Sequence, residues 1–82
     1  MLKGVYFCAE SSWDRVYGPA ERKAIARLIQ IPEQLVTREN WRDHLSLLNE
    51  ADILVSSWGG AILTRELLEA MPNLKLYLYG AG

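Results

Sequence analysis

Two glycine-containing stretches of the sequence carry residue types suited to binding an anion. Ser57-Trp58-Gly59-Gly60 follows one apolar run, and Gly80-Ala81-Gly82 follows a second one. Glycine lets the backbone approach a ligand closely, and N–H groups left free at such a bend can hold a carboxylate or a phosphate. The alternative is that these glycines only make tight turns, and the residue pattern by itself leaves both interpretations open.

Side chains that could perform catalysis are sparse. Cys8 is the single cysteine, which excludes an internal disulfide and a cysteine zinc cluster, and no metal site is predicted. It ends a predicted buried strand, where an inert thiol is expected. Glu10 is a lone carboxylate and cannot form an acid–base pair, and Ser57 has no neighbouring histidine to activate it. The sequence therefore favours binding by backbone groups over catalysis by side chains.

The elements around these bends predict a strand, a helix and a second strand. Residues 53–56 are apolar and β-branched, Thr64 is a good N-cap for a helix that ends at Met71, and residues 74–79 read as another strand. A unit of this length is a right-handed crossover between parallel strands. It would place both bends side by side at the carboxyl edge of a sheet, where open α/β sheets hold their ligands.

The upstream residues predict the same alternation. Residues 2–8 indicate a first strand, 9–17 a loop, 20–29 a helix that opens at Pro19, and 34–36 a weak edge strand. Thr37 or Asn40 would cap a further helix that contains Trp41. The order β-α-β-α-β-α-β predicts an α/β fold, a flavodoxin-like parallel sheet of order 2-1-3-4 with three helices.

Three helices are too few to cover both faces of a four-stranded parallel sheet. We therefore expect residues 1–82 to be the N-terminal portion of a larger, doubly wound domain that is incomplete here. The uncovered sheet face or the open sheet edge is expected to drive self-association.

Composition narrows the partners. The chain has 82 residues, a formal net charge of −1 and no basic run, so nothing in its charge indicates nucleic acid or a membrane surface. No apolar segment is long enough for a signal peptide or a membrane span. The sequence is typical of a cytoplasmic protein with reduced thiols.

From Ala51 onward the chain resembles the D-isomer-specific 2-hydroxyacid dehydrogenase family, in the first part of its substrate-binding (catalytic) domain. The similar residues follow the family order of strand, turn, cap and proline over about thirty positions. They are Ala51-Asp52-Ile53-Leu54-Val55-Ser56-Ser57-Trp58-Gly59, Leu63-Thr64, Glu66-Leu67-Leu68, Met71-Pro72-Asn73-Leu74-Lys75 and Gly80-Ala81-Gly82.

The resemblance implies a two-domain enzyme that transfers hydride between NAD(H) and a 2-hydroxy or 2-keto acid. In such an enzyme the backbone N–H groups of Gly80, Ala81 and Gly82 would bind the substrate carboxylate, beside Ser57, Trp58 and Gly59. The nucleotide-binding domain and the catalytic arginine, acid and histidine of the family have no counterpart in this sequence. The resemblance thus implies substrate binding without catalysis and no cofactor held by this chain.

Two other interpretations stay open. One is a stand-alone flavodoxin-like binding or signalling module of the receiver type, although a receiver needs acids after its first strand and an aspartate ending its third. This chain offers Glu10, and then Ser56 and Ser57. The other is the front half of a nucleotide-binding domain that ends in its own G-x-G, which predicts measurable NAD affinity.

Overall fold

The protein is a single parallel sheet flanked by helices, seen in a computed structural model that describes residues 1–80. The four strands are Gly4–Phe7 (β1), Leu35–Val36 (β2), Ile53–Ser56 (β3) and Leu76–Tyr79 (β4). They pair in parallel in the order β2-β1-β3-β4. The predicted α/β class and the flavodoxin-like strand order 2-1-3-4 are therefore confirmed.

Four α-helices connect these strands within residues 1–80: Glu10–Val16 (α1), Pro19–Ala26 (α2), Leu45–Glu50 (α3) and Arg65–Ala70 (α4). A 3₁₀ turn, Trp41–His44, leads directly into α3. The predicted loop over residues 9–17 is wrong, because most of it is α1. None of these helices has the length and apolar character needed to cross a membrane.

The core has one layer on each face of the sheet, because strand side chains alternate between faces. On one face, Val5, Phe7 and Leu54 pack with residues from the 3₁₀ turn, α3 and α4, among them Trp41 and Leu67. On the other face lie Tyr6, Cys8, Leu35, Ile53 and Val55, packed against Trp13, Tyr17, Ile25, Ile29 and Ile31. The α1–α2 layer covers this second face.

Local signals set several element boundaries. The Thr64 hydroxyl oxygen accepts the Leu67 N–H at 3.2 Å, which is the capping bond predicted for α4. Pro19 stands at the start of α2, where its missing N–H costs nothing. Asn40 does not cap the next helix; its side-chain oxygen instead accepts the Thr37 N–H at 2.7 Å and closes the loop after β2.

Candidate functional site

The bend after β3 lies against the bend after β1 at the carboxyl edge of the sheet. Gly59 has φ of +69°, a conformation that other L-residues adopt at a cost. A Cβ on Gly59 would lie 2.5 Å from the Ala9 Cβ, and the Ala9 N–H donates to the Trp58 carbonyl at 3.0 Å. The order of the strands reverses between β1 and β3, so this contact stands at the topological switch point.

The end of β4 lies beside the same bend. The Ser56 carbonyl accepts two hydrogen bonds, from the Gly80 N–H at 2.9 Å and from the Tyr17 hydroxyl at 2.7 Å. Gly80 therefore stands at the same edge as Trp58, with its N–H already engaged. Ala81 and Gly82, the other two residues of the second predicted bend, lie outside the described residues.

The exposed part of the first bend offers two backbone donors. Within residues 1–80, the N–H groups of Trp58 and Gly59 make no hydrogen bond to a protein acceptor. The Trp58 side chain is 43% exposed, so it borders the bend at the surface and does not contribute to the core. The Arg15 guanidinium lies 6.0 Å from the centre of the Trp58 ring and adds a positive charge nearby.

Beneath the bend lies a buried layer of hydroxyl groups. The Ser56 hydroxyl donates to the Phe7 carbonyl at 2.7 Å, and the Tyr77 hydroxyl donates to the Ser56 oxygen at 3.1 Å. Ser57 is fully buried, and its hydroxyl has no partner among the described residues. Ser57 is thus the buried first residue of the bend, while Trp58 lies at the surface.

Two titratable groups near the bend, Cys8 and Tyr17, have raised pKa values that favour their protonated forms. Burial raises the pKa of the Cys8 thiol to about 11. Burial also raises the pKa of Tyr17, against the lowering effect of the Gly80 backbone N–H nearby. A thiol with so high a pKa is a poor nucleophile at neutral pH.

A crevice of about 180 Å³ opens next to the bend, on the face covered by α4. Phe7, Trp41 and Leu67 form its buried walls, and Ile62 and Thr64 border it. Arg38 is the one cation that lines it among the described residues, and its Nε donates to the Gly60 carbonyl at 2.8 Å. Arg38 is not among the residues predicted from the sequence. The signal was its place two residues after a predicted strand, at the same edge as the glycines.

A surface hollow of about 720 Å³ lies elsewhere, between α3 and α4. Leu45, Asn49 and Glu69 are among its lining residues. The C-terminal ends of these helices lead into the amino ends of β3 and β4, so the hollow is far from the bends. We place the site at the bends, because ligands of open parallel sheets bind at the carboxyl edge.

No three His, Cys, Asp or Glu side chains within residues 1–80 are grouped so that they could hold a metal ion. Comparison with models of protein families, with curated proteins and with solved structures gives no match.

Proposed function

We propose that this chain is the carboxylate-binding part of an NAD-dependent oxidoreductase that acts on a 2-hydroxy or 2-keto acid. The observation that carries the proposal is the pair of Trp58 and Gly59 N–H groups, which make no hydrogen bond within residues 1–80 and stand in a partly exposed bend at the carboxyl edge of the sheet. Adjacent backbone N–H groups at a bend form a concavity that suits an anion. The resemblance over residues 51–80 supplies the substrate class.

The proposal assigns different tasks to the residues of the bend. Trp58 and Gly59 donate to the carboxylate, and the Trp58 ring shields it on one side. Ala9 holds the bend in place through its N–H bond to the Trp58 carbonyl and its close contact with Gly59. The donors are main-chain groups of a bend that is bonded to its neighbours, since the Ala9 N–H donates to the Trp58 carbonyl and the Gly80 N–H to the Ser56 carbonyl. Their geometry is therefore set before the acid binds.

The residues present do not fit a dinucleotide. β1 passes through Cys8 and Ala9 straight into α1, without the glycines that let a backbone approach a pyrophosphate. After β3, the glycines are followed by three further residues before the Thr64 cap and the first turn of α4. The proposal therefore assigns NAD(H) and the hydride-transfer groups to other parts of a cytoplasmic enzyme, and this chain contributes no step of the transfer.

Titration of the isotope-labelled chain with pyruvate and with D-lactate, followed by two-dimensional NMR, tests the proposal. We expect the amide signals of Trp58 and Gly59 to shift in a saturable manner. Lactamide, which has no carboxylate, is the control and should leave them in place. Shifts confined to other amides, or an equal response to lactamide, would overturn the assignment.

A further inference from the structure

Arg38 is an anchored arginine whose charge is not neutralised within the described part of the chain. Its Nε donates to the Gly60 carbonyl at 2.8 Å, which fixes the plane of the guanidinium beside the glycine bend. Its two terminal nitrogens make no hydrogen bond or ion pair to any residue from 1 to 80. Those two nitrogens are the pair that binds a carboxylate in bidentate fashion.

The neighbouring arginine is already engaged. Arg42 is paired with the Glu66 carboxylate, and its guanidinium stacks on the Trp41 ring at 4.3 Å. The two opposite charges at that side of the crevice therefore balance each other. Arg38 is left as the group that gives the crevice its positive potential.

The walls of the crevice are mainly apolar side chains of the core. Phe7 and Leu67 are 1% and 2% exposed, and Trp41 is 9% exposed, so the walls belong to the packed core. The Thr64 hydroxyl oxygen already accepts the N–H of Leu67 as the cap of α4. Such walls favour a hydrocarbon group and offer little to a second polar group.

We propose that Arg38 and this crevice recognise a small monocarboxylate with an apolar tail. The terminal nitrogens of Arg38, which is anchored on Gly60, share the carboxylate with the Trp58 and Gly59 N–H groups of the same bend, and the tail lies against Phe7, Trp41 and Leu67. A volume of about 180 Å³ equals the liquid volume of about six water molecules, which is room for a short branched chain. This inference rests on the proposed function and narrows it: the substrate would be a 2-keto or 2-hydroxy acid with an aliphatic side chain, not a sugar acid.

The test compares 4-methyl-2-oxopentanoate, pyruvate and the neutral amide of the branched acid as probes of the full chain. NMR follows the Trp41 indole signal, the Arg38 side-chain N–H and the Ile62 amide. We expect the branched acid to bind at least about tenfold more tightly than pyruvate, because it buries additional methyl groups, and the amide to bind far more weakly.

Arg38→Gln should weaken binding of the branched acid by about tenfold or more, since a hydrogen-bonded charge is lost. Arg27→Gln removes the same charge at the end of α2 and is the matched control, which should bind as the unaltered chain does. An unchanged amide spectrum outside the crevice shows that each variant is folded. The comparison of the acid with its amide needs no substitution, so it tests the proposal even where Arg38→Gln unfolds.

Failure of this inference is distinct from failure of the proposed function. If both acids shift only the Trp58 and Gly59 amide signals, with equal affinity for pyruvate and for the branched acid, the Arg38 site is wrong and the proposed function stands. If neither acid shifts any signal at the carboxyl edge, both are wrong.

Discussion

Gly59 is the residue on which the geometry of the bend depends most directly. Its φ of +69° and its contact with Ala9 both exclude a side chain. We expect Gly59→Ala to lower the free energy of unfolding by about 1–3 kcal/mol, from the left-handed backbone and from the close contact together. Urea unfolding followed by tryptophan fluorescence measures the change.

Gly18→Ala is the matched control for that substitution. Gly18 has φ of −69°, and a Cβ there would meet chiefly the end of the flexible Glu21 side chain, which can move away. Its effect should be clearly the smaller of the two. Equal effects would mean that neither the positive φ nor the contact with Ala9 constrains the bend.

Residues with local signals could be predicted from the sequence, and residues placed by distant contacts could not. Thr64 and Gly59 belong to the first group, since a helix cap and a glycine bend are determined by residues adjacent in sequence. Arg38 belongs to the second. Its importance comes from the Gly60 carbonyl, 22 positions away, and from a crevice built by three other elements.

At the scale of elements, α1 shows why the prediction of a loop was wrong. Its N-cap position holds Ala9, which makes no side-chain capping bond, so no start signal is present in the sequence. The helix is stabilised instead by tertiary contacts. Trp13 and Tyr17 pack on the Tyr6 ring at 5.9 and 5.7 Å, and the Arg22 guanidinium bonds to Asp14 at 3.0 Å. Packing of this kind overrides weak local propensity.

β3 and α4 were predicted correctly because their local sequence preferences agree with the places that these elements take in the fold. The β-branched run of β3 is buried on both faces, as central parallel strands are. β4 begins at Leu76, two residues later than predicted, because its pairing with β3 starts there and residues 74 and 75 precede the paired residues. The Lys75 N–H already donates to the Asp52 carbonyl at 2.7 Å, ahead of the paired residues.

Asp52 fastens the amino ends of three strands. One carboxylate oxygen accepts the Lys75 ammonium at 2.7 Å, and the other accepts the Lys3 backbone N–H at 2.9 Å. The Lys75 hydrogen bond, followed by the Lys3 one, lowers the pKa of Asp52 below its usual value. The carboxylate form is thus favoured in the folded state.

The sign of the resulting pH dependence follows from linkage. A lowered pKa in the folded state gives stability that is present above the usual aspartate pKa of about 4 and is lost as the pH falls through the folded value. We expect the urea midpoint of Asp52→Asn to change less between neutral and acidic pH than that of the unaltered chain. Asp43→Asn, in the 3₁₀ turn and outside the ion pairs of residues 1–80, is the control. If the urea midpoint of Asp52→Asn varied with pH as much as that of the unaltered chain, the role of this contact would be contradicted.

At the scale of the whole molecule, the sheet is covered unevenly. α1 and α2 lie over Tyr6, Cys8 and Leu35, whereas Leu76 and Leu78 on β4 remain 47% and 45% exposed. An apolar groove of about 180 Å³ runs between α2 and β4. Its lining residues are Tyr17, Ile25, Leu28, Ile29, Ile53, Val55 and Leu78. β4 also pairs only with β3 among the described strands, so its other edge is open.

We propose that a second copy of this chain covers the groove and the open edge. Two β4 edges related by a twofold axis can pair with each other, because each supplies the same backbone donors and acceptors. Leu28, which follows α2 and is 78% exposed, would then pack against apolar surface of the partner. The net charge of −1 gives little repulsion between copies.

Leu78→Lys tests this association, because it places a charge on the apolar face beside the open edge and should shift the chain to monomer. Leu68→Lys is the control: Leu68 on α4 has the same 45% exposure, but it lies on the opposite side of the sheet. Sedimentation velocity over a wide range of concentrations should show concentration-dependent dimerisation in the unaltered chain and in Leu68→Lys, and its loss in Leu78→Lys. A monomer at every concentration, or equal loss in both variants, would show that the groove and the β4 edge do not join two copies.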